Sequence, residues 1–201
     1  MALFTVNQLK ERARNEIRKS TPLEYLSESQ FSTRVFSQLN KAISNQEIQS
    51  QTKTFDIFLS HSSKDAELVE GLKLELEDKG FSVYVDWIED SQLDRNKVTK
   101  DTALLLKSRM RNSRSLIYAF SENVNLSKWM PWELGYFDGF NGKAAVLPIM
   151  NSNASDSYTG IEYLSLYNYV VSGSETIWVH ESGKIYISYK NWLTGQKPIQ
   201  H

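Results

Sequence analysis

The chain has 201 residues and a mass of 23.2 kDa, with no cysteine, three histidines and a formal charge of −1. Without Cys it has no disulfide framework, thiolate zinc site, iron–sulfur cluster or cysteine nucleophile, and His61, His180 and His201 are too scattered for a local H-E-x-x-H motif. A charged fraction of 23 % and a pI near 6.3 give no bulk bias toward nucleic acid or a membrane surface. The longest apolar runs, such as 144–147, fall far short of the about 20 residues of a spanning helix. Carboxylate, hydroxyl and amine chemistry remain for catalysis, and no metal or cofactor site is expected. The N-terminus meets charge too early for a secretory apolar core, and the lack of cysteine fits a reducing compartment, so the expected location is cytoplasmic.

Composition changes near residue 53. Residues 1–53 hold eight Lys/Arg against five Glu, and residues 54–201 hold 15 basic against 19 acidic side chains. The first part reads as a helical extension with a polar linker at 46–53, and 54–201 as one α/β domain. Within the extension, the run from Val6 to Ala13 predicts one short helix. Phe31, Val35, Phe36 and Leu39, at i, i+4, i+5 and i+8, predict a second, with a break near Ser20-Thr21-Pro22. The extension is expected to fold against its own domain or a partner copy.

From Thr54 strands and helices alternate. Phe55-Asp56-Ile57-Phe58-Leu59 is a strand, and Ser62 with Asp65 three residues on resembles a capping box for a helix burying Leu68, Val69, Leu72 and Leu76. Gly80 ends that helix, and Phe81-Ser82-Val83-Tyr84-Val85 alternates as a second strand leading into Asp86-Trp87. A helix around 99–110 precedes a strand at 116–120, and a helix around 129–140 precedes a strand at 144–149. Four βα units in succession predict a parallel sheet with helices on both faces, and right-handed crossovers favour a flavodoxin-like order. Tyr167-Asn168-Tyr169-Val170-Val171 is the candidate fifth strand. Beyond it, 176–179 and 185–188 flank Glu181-Ser182-Gly183-Lys184 as a β-hairpin expected to cover a sheet edge.

None of the nine glycines makes a G-x-G-x-x-G or a phosphate-loop motif, so a bound nucleotide is held in another way. A response-regulator receiver would need an acceptor Asp where this chain has Tyr118-Ala119-Phe120-Ser121. In an open α/β sheet the ligand crevice lies at the carboxyl ends of the strands. Those ends carry Ser60-His61, Asp86-Trp87 and the segment from Ser121 to Glu133. In the last, two tryptophans flank Pro131, and Glu133 follows Trp129 by one helical turn. Pro131 belongs near a helix start, which places Glu133 in the first turns, where the helix dipole favours a carboxylate.

Three stretches together resemble TIR (Toll/interleukin-1 receptor) domains. Phe55-Asp56-Ile57-Phe58-Leu59-Ser60-His61-Ser62-Ser63-Lys64-Asp65 is similar to their first box, and Gly80-Phe81-Ser82-Val83-Tyr84-Val85-Asp86 to their second strand. Trp129-Met130-Pro131-Trp132-Glu133-Leu134 resembles the W-x-x-x-E segment of the NAD-cleaving members. The likeness runs from about Thr54 to Met150 and is nearest to small bacterial TIR proteins, some of which make a cyclic ADP-ribose signal in anti-phage systems such as Thoeris. It implies a flavodoxin-like fold of about five parallel strands, self-association through TIR domains, and cleavage of NAD+ as substrate. Glu133 would be the catalytic carboxylate, with Ser60, His61, Lys64, Asp86, Trp87 and Trp129 contacting substrate, and a separate effector protein would respond to the product. Basic residues that some NAD-cleaving members carry after the first strand are replaced here by Ser62-Ser63, leaving Lys64 or loop amides, with Arg95 and Lys97 as weaker candidates, for the pyrophosphate. Two other readings stand beside this one: a non-catalytic TIR scaffold, and an enzyme like nucleoside deoxyribosyltransferases, which have a related fold and also use a Glu.

Overall fold

The computed structural model describes residues 1–20, 54–85, 100–151, 158 and 162–201. The second expected N-terminal helix, the linker, Asp86, Trp87, Arg95 and Lys97 lie outside the described residues. Strand β1 (Phe4–Thr5) leads directly into helix α1 (Val6–Ser20). The βα series follows: β2 (Phe55–Ser60), α2 (Ala66–Asp78), β3 (Val83–Val85), α3 (Lys100–Arg111), β4 (Ser113–Phe120), α4 (Trp129–Asn141) and β5 (Ala144–Met150). The chain ends with β6 (Tyr169–Ser172), β7 (Ile177–Ser182), β8 (Ile185–Ser188), α5 (Tyr189–Leu193) and β9 (Ile199–Gln200).

The sheet order is β3-β2-β4-β5-β6-β7-β8-β9. The first five are parallel, as the alternating pattern predicts, and β2 is flanked by β3 and β4, so the strand order reverses there. In an open α/β sheet such a reversal is where the ligand crevice lies, here at the carboxyl ends of β2 and β4. The expected hairpin, β7 and β8, continues the same sheet by antiparallel pairing with β6, so it covers what would otherwise be an edge.

The strands are apolar on both faces because both faces are covered. Ile57, Leu59, Ile117, Ala119, Ala145 and Leu147 pack toward α1, α2 and α5. Phe58, Leu116, Tyr118 and Val146 pack toward α3 and α4, against Leu106, Met110, Met130, Leu134 and Phe137.

The N-terminal segment enters this architecture in a way that its sequence does not announce. β1 pairs parallel with β5 at Ile149 and Met150, beyond the point where Val146 meets Tyr169 of β6. Helix α1 buries Leu9, Ala13 and Ile17, one per turn. It approaches α2 so closely that a Cβ on Gly71 would stand 1.9 Å from the Leu9 carbonyl oxygen. Glycine is therefore required at that crossing.

Two local readings are refined. Ser62 caps a single 3-10 turn, Ser63–Asp65, accepting from the Lys64 amide at 3.4 Å, and Asp65 occupies the α2 N-cap position without a side-chain cap bond. The capping box expected from Ser62 and Asp65 does not form, because the Asp65 carboxylate is engaged elsewhere. Pro131 is the third residue of α4 and removes no intrahelical hydrogen bond there, so the helix runs through to Asn141. Gly142, at φ +72°, ends it. Among the described residues no helix is long and apolar enough to cross a membrane.

Candidate active site

The crevice is built where three elements converge. Ser60 is the last residue of β2 and stands opposite Tyr118 of β4 in the parallel register, on the face that α4 covers. The Ser127 hydroxyl accepts the Met130 amide at 3.3 Å just ahead of α4, whose N-cap is Lys128 and whose first residue, Trp129, lies one turn before Glu133. Glu133 then points back to the sheet. It is only 7 % exposed, and its Oε2 accepts a 2.5 Å hydrogen bond from the Ser60 hydroxyl. A buried carboxylate needs such donors, since desolvation disfavours its charged form, and a charge-assisted bond of this length is strong as well as orienting.

Tyr118 lies beside this pair and is fully buried. Burial, followed by the neighbouring Tyr163 phenol and the Glu133 charge, raises its hydroxyl well above the ordinary phenol range. At neutral pH it stays a neutral donor next to the carboxylate. Tyr163 comes from the 3-10 turn Glu162–Leu166 that precedes β6 and is exposed on its other side.

A second buried polar cluster ties the two loops of the crevice together. The Asp65 carboxylate accepts from the Ser121 hydroxyl and from the Asn123 side-chain amide, the latter at 2.6 Å, and the Asn123 backbone amide donates to Ser121 Oγ at 3.2 Å. Asp65 and Ser121 are each 5 % exposed.

The remaining expected residues are arranged less tightly. His61 is buried, with Nδ1 donating to the Leu59 carbonyl at 3.0 Å, which turns the ring toward its own strand. Lys64 is exposed on the loop after β2. Trp129 is half-buried against the α4 face of the core and meets Trp132 edge-on at 5.3 Å. Trp132 stacks on Tyr136 at 5.7 Å, so a row of rings follows α4 away from the crevice. The structure thus brings Ser60 and Glu133 into contact and places Trp129 one turn before Glu133 on the same helix. Asp86 and Trp87 lie outside the described residues.

In the sequence Asp65 and Tyr118 have no place in the site, and Ser121 and Asn123 fall in the crevice segment without a role of their own. The Ser62 to Asp65 spacing carried a signal, read as a cap. Tyr118 follows the alternation of β4, but only strand pairing reveals that its neighbour is Ser60. Among the described residues no group of His, Asp and Glu is arranged to hold a metal ion.

A doubly wound sheet whose first and third βα loops enclose a buried carboxylate at the reversal point defines a class of ligand-binding α/β domain. Residues 57–176 match the TIR domain family, and the chain belongs to that family. It is 48 % identical over 199 residues to a Bacillus cereus (strain MSX-D12) protein named "Probable 3' cyclic ADP-D-ribose synthase ThsB'", an alignment covering 96 % of this chain and 98 % of that one. It is 32 % identical over 114 residues to the "Putative cyclic ADP-D-ribose synthase TIR2" of Cytobacillus dafuensis, covering 56 % of this chain and 30 % of the longer relative. The 2' cyclic ADP-D-ribose synthase BtTIR of Bacteroides thetaiotaomicron is 30 % identical over 137 residues, covering 67 % of this chain and 44 % of that protein.

Proposed function

We propose that this TIR protein cleaves the nicotinamide–ribose bond of NAD+, releasing nicotinamide and ADP-ribose or a cyclic ADP-ribose isomer, with Glu133 as the catalytic carboxylate. The observation that carries the reading is the Ser60 to Glu133 hydrogen bond, which holds a buried carboxylate at the crevice of the sheet. The names of the relatives support the same reaction class and favour a cyclic product.

The chemistry suits a chain with neither thiol nor metal cluster among its described residues. Breaking a glycosidic bond passes through an oxocarbenium-like transition state. Nicotinamide leaves from a cationic pyridinium as a neutral molecule, so no general acid is needed to protonate it. Positive charge that was spread over the pyridinium moves onto the ribose carbon, and an oriented carboxylate stabilises it there. Ser60 holds Glu133 through its proton, and its oxygen lone pairs remain acceptors for a ribose hydroxyl. The neutral Tyr118 phenol, hydrogen-bonded to Tyr163, lies at the same end of the crevice. Trp129 is the aromatic contact for the nicotinamide riboside among the described residues, with His61 and Lys64 in the substrate-binding set and Lys64 assigned to the pyrophosphate; the resemblance adds Asp86 and Trp87, which lie outside the described residues.

In the same reading, assembly through TIR domains switches the enzyme on, and the nucleotide product signals to a separate effector in cytoplasmic anti-phage defence. The test is purified protein incubated with NAD+, with nicotinamide followed over time and products identified by mass spectrometry. The wild type is expected to release nicotinamide and Glu133→Gln to release none. Equal silence of both under assembling conditions would select a non-catalytic scaffold, and turnover of deoxynucleosides without NAD+ cleavage would select a deoxyribosyltransferase.

A further inference from the structure

We infer that Asp65 is a positioning residue for NAD+ cleavage: by locking the loop after β2 to the loop after β4, it sets the Ser60 hydroxyl against Glu133. The inference rests on the reading of Glu133 as the catalytic carboxylate.

Asp65 stands at a helix N-cap, where an aspartate ordinarily accepts an amide of the first turn, yet it makes no side-chain cap bond. Its carboxylate instead reaches 56 and 58 residues along the chain to Ser121 and Asn123. Capping therefore does not account for a carboxylate at this place. Nor does apolar packing, since burying a charge carries a desolvation cost that an apolar residue of similar size would avoid.

The two loops it joins are those that deliver the reacting geometry. Ser60, the last residue of β2, lies five residues before Asp65 where one of them begins. On the other, Asn123 is followed by the 3-10 turn Val124–Leu126, in which Val124 is buried, and the Ser127 amide closes that turn by donating to the Val124 carbonyl at 3.2 Å. Ser127 then holds the Met130 amide in the first turn of α4, the helix that carries Glu133. A displacement between the loops would reach the 2.5 Å Ser60 to Glu133 bond through the backbone of 60–65 on one side and of the turn and first helical turn at 123–133 on the other. Neither Asp65 nor its partners need touch substrate for this role.

A double-mutant cycle on the full chain tests it, with nicotinamide release as the readout for wild type, Asp65→Asn, Ser60→Ala and the double variant. Asp65→Asn keeps the shape of the side chain but loses the charge and one acceptor. It is expected to lower kcat about tenfold while KM stays within about twofold, the pattern of an interaction made in the transition state. In the Ser60→Ala background the same change is expected to lower kcat by less than about twofold, because the geometry it secured is already gone. Equal losses in both backgrounds, or a rise in KM with kcat unchanged, would overturn the inference and leave Asp65 as a structural residue. If Asp65→Asn does not unfold cooperatively, Ser121→Ala goes through the same cycle with the same criteria. A wild type that releases no nicotinamide would refute the reading of Glu133 itself and this inference with it, an outcome distinct from a wild type that is active with an additive cycle.

Discussion

The crevice and the α1–α2 seam both carry charged side chains, and they use them in opposite ways. In the seam, apolar packing holds the helices together: Leu9, Ala13 and Ile17 are buried, and backbone meets backbone at Gly71. Its ion pairs lie at the rim, with Arg12 bound to Asp78 and Glu16 at 2.8 Å and Arg14 to Glu67 at 2.7 Å, in side chains that solvent still reaches. Pairs of this kind are worth about 0–1 kcal/mol. In the crevice the polar groups are inside, each hydrogen-bonded, and they occupy positions where apolar residues would stabilise the fold at least as well. Charge that decorates a seam is expendable, whereas charge kept in a core at a sheet reversal marks chemistry.

Substitutions that break this contrast are expected to separate activity from stability. The largest effect is on catalysis alone. Glu133→Gln, which keeps the size and one acceptor oxygen but not the charge, should lower nicotinamide release by at least about a hundredfold to a thousandfold, with the melting temperature measured by calorimetry changing little. Next comes Gly71→Ala in the seam, which forces α1 off α2 because the obstructing atoms are backbone. Overpacking of this kind costs about 1–3 kcal/mol, and for a chain of about 150–250 residues each kcal/mol shifts the melting temperature by roughly 2–4 °C. The kinetics of the remaining folded protein should change far less than its stability.

A smaller, pH-dependent effect belongs to Glu70. It lies on α2 with one carboxylate oxygen buried and unpartnered, and burial pushes its carboxyl upward, opposed by Lys73 and reinforced by Glu77. A carboxyl raised in the folded state favours folding below its ordinary value of about 4.3 and loses that contribution as pH rises through the raised value. Glu70→Gln should therefore raise the melting temperature at pH 7, and the gain should shrink toward pH 4. Asp78 has the opposite sign, since its hydrogen bond to Arg12 lowers its carboxyl below the usual range. Its contribution is present above about pH 4 and lost as pH falls further. The smallest effect is that of Arg12→Ala, expected to cost less than about 1 kcal/mol and to be reduced by salt. A loss of several kcal/mol would mean that the rim pairs, and not the packing, hold the seam.

What the sequence made legible follows the range of the interactions involved. β2, β4 and β5 are apolar runs bounded by polar loops, and helices between them dictate parallel pairing, so the five-stranded core could be read without coordinates. The W-x-x-x-E segment stood out because two tryptophans, a proline and a glutamate share one turn. Features that depend on a distant partner were not readable. β1 is two residues long and is a strand through its pairing with Ile149 and Met150, where β5 continues beyond its last pairing with β6. Gly71 looks like an ordinary helix glycine until Leu9 is laid across it. Asp65 satisfied a local spacing rule while its partners lay in another loop, so a tertiary contact overrode the cap.

The most direct test of the central claim is the time course of nicotinamide release from NAD+ by the wild type and Glu133→Gln, prepared identically and matched in melting temperature. Sustained release by the wild type, with none above background from the variant, is the expected result. Matching rates from two equally stable proteins would contradict the assignment of catalysis to Glu133.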